Sequence, residues 1–300
     1  MLNQKPLVSI ITITYNRCDL IHRCIESIQG QTYSNYEHII VDGNSNDRTE
    51  SVVSNYNDPH IKYIKLKDKG PQLQMSAGTA IATGKYVTFL DDDDEYLPEK
   101  IQKQVEFFET LPEDIGLTYC WMSYYMNDNP DKVVKIHKPE FRGDCHVIAA
   151  AENRISGTPT LMVRRELIEK VGGVYNDQKC ALMGADVDFA TRLCQITKVD
   201  YIPESLVKVY LSHGHARLST NFYSDYVHKN IRYHEYFLSE FHEIFDENPK
   251  LANYHLFYIA RFNFLAREYK QGFIALRKLL KTNPSIKQIF KVISALIIMK

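Results

Sequence analysis

The chain has 300 residues, 36 Lys and Arg against 37 Asp and Glu, a formal charge of −1, and is 44% hydrophobic, 24% charged and 12% aromatic. These proportions exclude a disordered, collagen-like or low-complexity polypeptide, and near-neutrality argues against a general nucleic-acid binder. The most apolar stretch, Val292 to Met299, has eight residues, well short of the ~18 that a membrane span needs.

The N-terminus runs straight from Met1-Leu-Asn-Gln-Lys5 into a strand pattern, which predicts no signal peptide. Cys18, Cys24, Cys120, Cys145, Cys180 and Cys194 form no CxxC pair and predict buried thiols in a reducing, cytoplasmic setting. Leu7 to Thr14 is short and β-branched, the signature of a buried strand. Asp19 to Gln29 puts Leu20, Ile21, Cys24, Ile25 and Ile28 on one helical face, with Asp19 as the expected N-cap. A strand at Glu37 to Val41, a turn-rich segment from Asp42 to Asp47, a short helix from Thr49 and a strand at Ile61 to Leu66 follow. A helix at Gln72 to Ala82 then leads through Gly84 into a strand at Tyr86 to Leu90. Strands spaced by helices imply right-handed βαβ units. On such a sheet ligands sit at the carboxyl ends of strands, which singles out Thr14-Tyr-Asn-Arg17, Asp42 to Asp47 and Asp91 to Asp94.

Beyond Pro98 the pattern predicts a helix at Glu99 to Thr110. Strands are predicted at Gly116 to Tyr125, Lys132 to His137, Leu161 to Val163 and Tyr201 to Tyr210, with a helix at Asp186 to Ile196. From about Phe222 the chain reads as helices, broken at Asn248-Pro249 and Asn283-Pro284. The expected division is therefore an α/β domain over 1–220 and a helical region over 221–300.

Five adjacent acids, Asp91 to Glu95, leave an apolar strand at the carboxyl edge of this sheet. Like charges so crowded raise the cost of ionisation. A hard cation, Mn2+ or Mg2+, offsets that cost and is commonly shared with substrate phosphates, so the position predicts a metal–diphosphate site.

Three segments, Val8 to Arg17, Ile40 to Thr49 and Gly84 to Asp94, stand in an order and spacing that resembles the inverting glycosyltransferase family 2. The resemblance covers roughly residues 6–215 and is most specific over the first hundred. It implies a GT-A, Rossmann-like fold with a mixed central sheet, and transfer from a nucleotide-diphospho-sugar. In that likeness Asp42 matches the acid that bonds the nucleotide base, and Tyr15 the residue beside it, with Thr14 in the same donor-binding segment. Asp91-Asp92-Asp93 matches the DXD motif, with Asp91 near the ribose, Asp92 also on the donor and Asp93 on the metal. Ala185 to Arg192 resembles the later Glu-Asp-x-Asp segment, which implies Asp186 as catalytic base and leaves Asp188 as an internal control. A His in the region of Ser212 to Ser219 binds metal or diphosphate in several relatives. That implies His213 on the metal and His215 and Arg217 on the donor, with Arg17 a further phosphate contact. Thr158 to Thr160 and Gly172 to Tyr175 resemble the acceptor-side loops.

The chain departs from the family pattern at Ile13 (usually Pro), at Gly43 (usually Asp), at Gln74 to Gly78, which lacks an Arg, and at Ala185 (usually an acid). The Gln-x-x-Arg-Trp motif of processive relatives is absent, the one tryptophan being Trp121. The expectation is a metal-dependent, non-processive hexosyl- or N-acetylhexosaminyl-transferase. It would use a nucleotide sugar, UDP by analogy, to extend a glycan or lipid-linked acceptor in polysaccharide biosynthesis. A reading from another class is a catalytically silent nucleotide-sugar-binding module that scaffolds a glycan assembly complex, and Asp186 distinguishes the two.

Residues 221–300 carry twelve Lys and Arg against seven Asp and Glu, a net +5, which leaves −6 on residues 1–220. From 271 to 300 there is no acid, and Arg277, Lys278, Lys281, Lys287 and Lys291 interleave with Phe273, Leu280, Ile286, Phe290 and Ile293. Such a pattern suits either a helix pair packed on protein or peripheral contact with an anionic inner membrane face.

Overall fold

A computed structural model describes residues 5–152, 155, 157–175, 185–212, 214–215 and 223–297. The chain forms two compact units. One comprises Met1–Cys145, Ile155–Asn176 and Arg192–His215, the other His146–Arg154, Asp177–Thr191 and Ala216–Lys300.

The first unit begins with strand β1 (Val8–Thr14), helix α1 (Ile21–Gln29), β2 (Tyr36–Asp42), α2 (Thr49–Asn55), β3 (Ile61–Lys65), α3 (Pro71–Ile81) and β4 (Tyr86–Phe89). It continues through β5 (Glu95–Tyr96), α4 (Lys100–Thr110), β6 (Ile115–Met126) and β7 (Asn129–His137). After α5 (His146–Glu152), which belongs to the second unit, come β8 (Met162–Arg164), α6 (Arg165–Lys170), α7 (Ala185–Cys194), which belongs to the second unit as far as Thr191, and β9 (Lys198–Leu211).

Among the described residues nine strands make one sheet in the order β3-β2-β1-β4-β8-β6-β9-β5, with β7 on the far part of β6. The β3-β2-β1-β4 block is parallel, as βαβ crossovers require. Past β4 the pairing becomes mixed: β8 runs antiparallel to both β4 and β6, and β6 runs parallel to β9. Both faces of β1 and β2 are covered, so their side chains are almost wholly buried, which explains why they read as unbroken β-branched runs. Helix α1 buries Ile21, Cys24, Ile25 and Ile28, the predicted face. Its start differs from the expectation. Leu20 occupies the N-cap and no side chain caps the turn, because the Arg17 carbonyl already accepts the Leu20 and Ile21 N–H groups. Asp19 is thereby released for another partner.

The second unit adds α8 (Tyr223–Glu240), α9 (His242–Glu247), α10 (Asn253–Leu265), α11 (Tyr269–Lys281) and α12 (Ile286–Ile297), with breaks at the two Asn-Pro pairs. Its core gathers Tyr233, Phe237, Phe241, Phe257 and Phe264 with Ala150 of α5 and Val187 of α7. No described helix is long and apolar enough to cross a membrane. The described cysteines are free thiols, and four are buried as expected, whereas Cys18 is part-exposed in the polar loop after β1.

Candidate active site

The carboxyl ends of β1, β2 and β4 converge, because the parallel register sets Thr14 beside Asp42 and Ile11 beside Phe89. At the β1 exit Asn16 adopts a left-handed conformation (φ 52°), and Asn tolerates that region better than most residues. Its N–H donates to Ser45 Oγ at 2.8 Å, and its side-chain oxygen accepts from the Asn46 N–H at 2.9 Å. The two strand exits are thus laced together. Asp42 is fully buried, with Oδ1 accepting from the Ser45 N–H at 2.7 Å and Oδ2 accepting from the Tyr63 hydroxyl. Each carboxylate oxygen has a second lone pair and can still accept from a ligand. Tyr15 is exposed, with Lys69 Nζ 5.6 Å from its ring centre. Thr14 is buried.

Gln74, which sequence reasoning read only as the absence of an arginine, holds this corner. Its amide nitrogen donates to the carbonyls of Thr14 (2.7 Å) and Val41 (2.9 Å), tying β1 to β2. A Cβ on residue 43 would lie 2.8 Å from Gln74 Oε1, so the two departures from the family pattern, Gly43 and Gln74, are one adjustment.

The acidic run leaves β4 as a tight turn, with the Asp94 N–H donating to the Asp91 carbonyl at 3.2 Å. Consecutive aspartates then face different surroundings. Asp92 is buried and accepts from Arg17 Nη1 at 2.6 Å, while the same nitrogen lies 3.3 Å from Asp93 Oδ2. Burial pushes the Asp92 carboxyl up, with the Asp93 charge adding to the effect and the Arg17 guanidinium opposing it. Asp91 is exposed. Asp91, Asp93 and Asp94 each offer one oxygen, and those oxygens lie within 4.8 Å of one another. An all-oxygen donor set of this span suits a hard divalent ion. Arg17, expected on phosphate, is paired with the acids, and Asp92, expected on the donor, is turned toward Arg17.

Two residues that sequence reasoning passed over, Arg23 and Tyr210, frame the turn. Arg23 donates from Nη1 to the Asp93 carbonyl (3.1 Å), pairs with Glu95 (3.4 Å) and stacks on Tyr210, its guanidinium carbon 3.8 Å from the ring centre. Asp94 accepts from the Tyr210 N–H at 2.9 Å, and Glu95 accepts from the Tyr210 hydroxyl at 3.0 Å. Arg23 sits one turn into α1, and nothing local in the sequence connects it with a site seventy residues away.

His215 Nε2 lies 2.9 Å from Asp19 Oδ2, the carboxylate left free by the backbone-led start of α1. That hydrogen bond, despite some desolvation, lowers the Asp19 pKa. His213 and Arg217 lie outside the described residues. In the second unit Asp186 opens α7, and burial pushes its carboxyl up against the pull of backbone N–H groups. Asp188, two residues on, is fully buried and accepts from the Tyr236 hydroxyl at 2.7 Å. Arg192, part of the same motif, donates to the Val171 carbonyl, to Gly173 (2.8 Å) and to Val174 (3.0 Å), and so holds the turn after α6. A separate cleft of about 580 Å³, lined in part by Pro98, Lys103, Trp121, Lys138 and Glu204, includes none of the expected site residues.

The sequence profile of the family described as glycosyl transferase family 2 matches residues 9–172, more than half of the chain. The chain belongs to that family. It is therefore a glycosyltransferase, and the three-segment resemblance is borne out. The putative teichuronic acid biosynthesis glycosyltransferase TuaG of Bacillus subtilis (strain 168) is 33% identical over 169 residues, which are 55% of this chain and 65% of that protein. Among solved structures, Staphylococcus aureus TarS residues 1–349 in complex with UDP-GlcNAc superposes with a TM-score of 0.64 at 18% identity, covering 92% of this chain and 81% of that one. The mannosyltransferase PcManGT of Pyrobaculum calidifontis, in complex with GDP-Man and Mn2+, gives 0.57 at 18% identity, covering 99% of this chain and 81% of that one. The fold is the expected GT-A type with a mixed sheet and a helical C-terminal region.

Proposed function

We propose that this family 2 member transfers a sugar, with inversion, from a nucleotide-diphospho-sugar to a hydroxyl of a glycan or lipid-linked acceptor in polysaccharide synthesis. The observation that carries the proposal is the convergence of Asp91, Asp93 and Asp94 at the exit of β4, next to the buried Asp42 corner of β1 and β2. The bound ligands of TarS and PcManGT support a nucleotide-sugar donor, and the Mn2+ of the latter supports a divalent ion. UDP is the nucleotide we assign, on the likeness to TarS. Asp91, Asp93 and Asp94 would hold Mn2+ or Mg2+, which when bound supplies charge stabilisation for the departing diphosphate.

The chain's own residues account for the remainder. Asp42 and Tyr15 bind the base, with Thr14 beside them, and Arg17 supplies positive charge next to the acids. Asp186 acts as general base: the acceptor oxygen attacks the anomeric carbon, its proton passes to the Asp186 carboxylate, and the bond to the diphosphate breaks with its electron pair leaving on the nucleotide. A carboxyl raised by burial is a better proton acceptor than an ordinary aspartate. Asp188, already engaged by Tyr236, is not assigned that role. His213, His215 and Arg217 are assigned to the donor's metal–diphosphate end.

The test is a thermal-shift panel of nucleotide sugars with and without Mn2+. A ligand at ~100 times its Kd adds about 2.7 kcal/mol to stability. UDP-sugars are expected to raise Tm only with Mn2+, and Asp93→Asn to abolish the Mn2+-dependent part. Equal shifts with and without Mn2+, or an unchanged Asp93→Asn response, would overturn the metal assignment.

A further inference from the structure

Helices α11 and α12 each pack on α10 through a narrow set of buried residues, Gly272, Ala275 and Leu279 on the first and Val292 on the second. A helix held by one such face would ordinarily show water a polar back. These two do not. On α12, Ile286, Phe290 and Ile293 recur at helical spacing and are 75%, 68% and 39% exposed. On α11, Tyr269, Phe273 and Leu280 form a second stripe, 47%, 55% and 51% exposed. Beside each stripe runs a flank of exposed cations, Lys270, Arg277 and Lys281 on α11 and Lys287 and Lys291 on α12. From Tyr269 to Lys300 there is no Asp or Glu. Among the described residues none of those five cations is in an ion pair.

We infer that these faces of α11 and α12 dock on an anionic phospholipid bilayer, with the apolar stripes at the headgroup–acyl boundary and the cations among the headgroups. The charge selects the occupant. A second copy meeting this face through its own α11 and α12 would bring the same acid-free basic surface and be repelled. A polyanion such as nucleic acid would answer the lysines but leave the Ile and Phe stripes in water. Only a surface both anionic and apolar beneath answers both, and that is how amphipathic helices lie on membranes. The inference does not rest on the donor or on the reaction, so it stands or falls separately from the proposed function.

The experiment is flotation of the full chain with vesicles of phosphatidylcholine alone or mixed with phosphatidylglycerol. Binding is expected only to the mixed vesicles and should weaken as salt is raised. Lys287→Gln with Lys291→Gln should lower partitioning about fivefold per charge removed. Ile286→Ser with Phe290→Ser should abolish it, as should Phe273→Ser with Leu280→Ser. The altered α12 side chains are exposed, so circular dichroism and Tm of those variants should match the parent and separate lost docking from lost folding; Phe273 also meets the Phe264 ring edge-on at 5.2 Å, so for its variant the retained helical spectrum is the control. Absence of vesicle binding, equal binding to both vesicle types, full binding by the Ser variants, or capture of an acidic protein without vesicles would each overturn the inference.

Discussion

Gln74 shows how a single side chain can stand in for a missing motif. It donates its amide N–H groups to two strand-end carbonyls, that of Thr14 also accepting from the Gly43 N–H at 2.9 Å, and each hydrogen bond lost costs about 0.5–1.5 kcal/mol. Gln74→Leu should therefore lower Tm markedly and loosen donor binding. Gly43→Ala should do the same through the clash with the Gln74 amide. The double variant Gly43→Ala with Gln74→Ala should lose less than the sum of its single changes, because the clash is gone. Strict additivity in denaturant unfolding would show the pair to be independent. On the proposed reading, Asp186→Asn should lower kcat by about 10²–10⁴ with little change in nucleotide affinity. Turnover at the parent rate would remove Asp186 as base. The acidic exit was legible because strand, turn and charge are adjacent in sequence. Which of the four aspartates turns inward was not. Neighbours of identical chemistry are told apart only by the tight turn and by Arg17 and Tyr210, which reach them from β1's exit and β9. Asp19 was misread for a related reason, since a helix start satisfied by backbone looks in sequence like one that needs a cap.

At the level of elements, Glu37 on β2 is the latch of the parallel block. It accepts from Ser9 of β1 (2.5 Å), Lys62 of β3 (2.5 Å) and both the N–H and hydroxyl of Thr83 before β4 (2.7 and 2.9 Å). Burial alone would raise its pKa, but these hydrogen bonds bring it down to about 2, from the ordinary 4.5. A depressed carboxylate contributes stability that is complete above the unfolded value and is lost as pH falls toward the folded one. The contribution is about 3 kcal/mol, and acid titration of stability should show its loss between pH 4.5 and about 2. Glu37→Gln should lower stability at neutral pH and flatten that limb; an unchanged slope would rule out the latch. The strands and helices of the first hundred residues were predicted almost to the residue, because each hydrophobic period is bounded by its own turn. The two-residue β5 and the short α5 and α6 escaped, since elements of one rung or two turns show no period and exist through their partners.

In the molecule as a whole, the helical unit holds its own acid-sensitive core. His255 Nε2 faces the Ala150 carbonyl at 2.7 Å, and its Nδ1 faces His234 Nδ1 at 2.9 Å. A carbonyl only accepts, so His255 must donate from Nε2. Its Nδ1 must then accept, and His234 carries its proton on Nδ1. Burial drives the His255 pKa down to about 4 and that of His234 to about 2, so both are neutral when folded. An unfolded histidine binds a proton near 6.5, hence stability is complete above that pH and falls as pH drops through the range down to about 4. His234→Phe, which keeps the ring stacked 4.9 Å from Tyr258, should cost about 1–3 kcal/mol at pH 7 by leaving His255 Nδ1 without its donor, yet give a shallower acid limb. Helicity measured against pH checks this, and parallel acid limbs would contradict it.

Glu95 and Tyr96 make only a brief rung against Lys208 and Val207 of β9, yet with β4 on the other side they pin the aspartate run at both ends. Mutual repulsion would splay such a run if it were free. Here folding has already met the entropic cost of holding it closed, so on the proposed reading a cation would find its donors assembled in advance and would need to order no loop. In a chain cut loose at β5, that pre-organisation would have to be supplied afresh with every catalytic cycle.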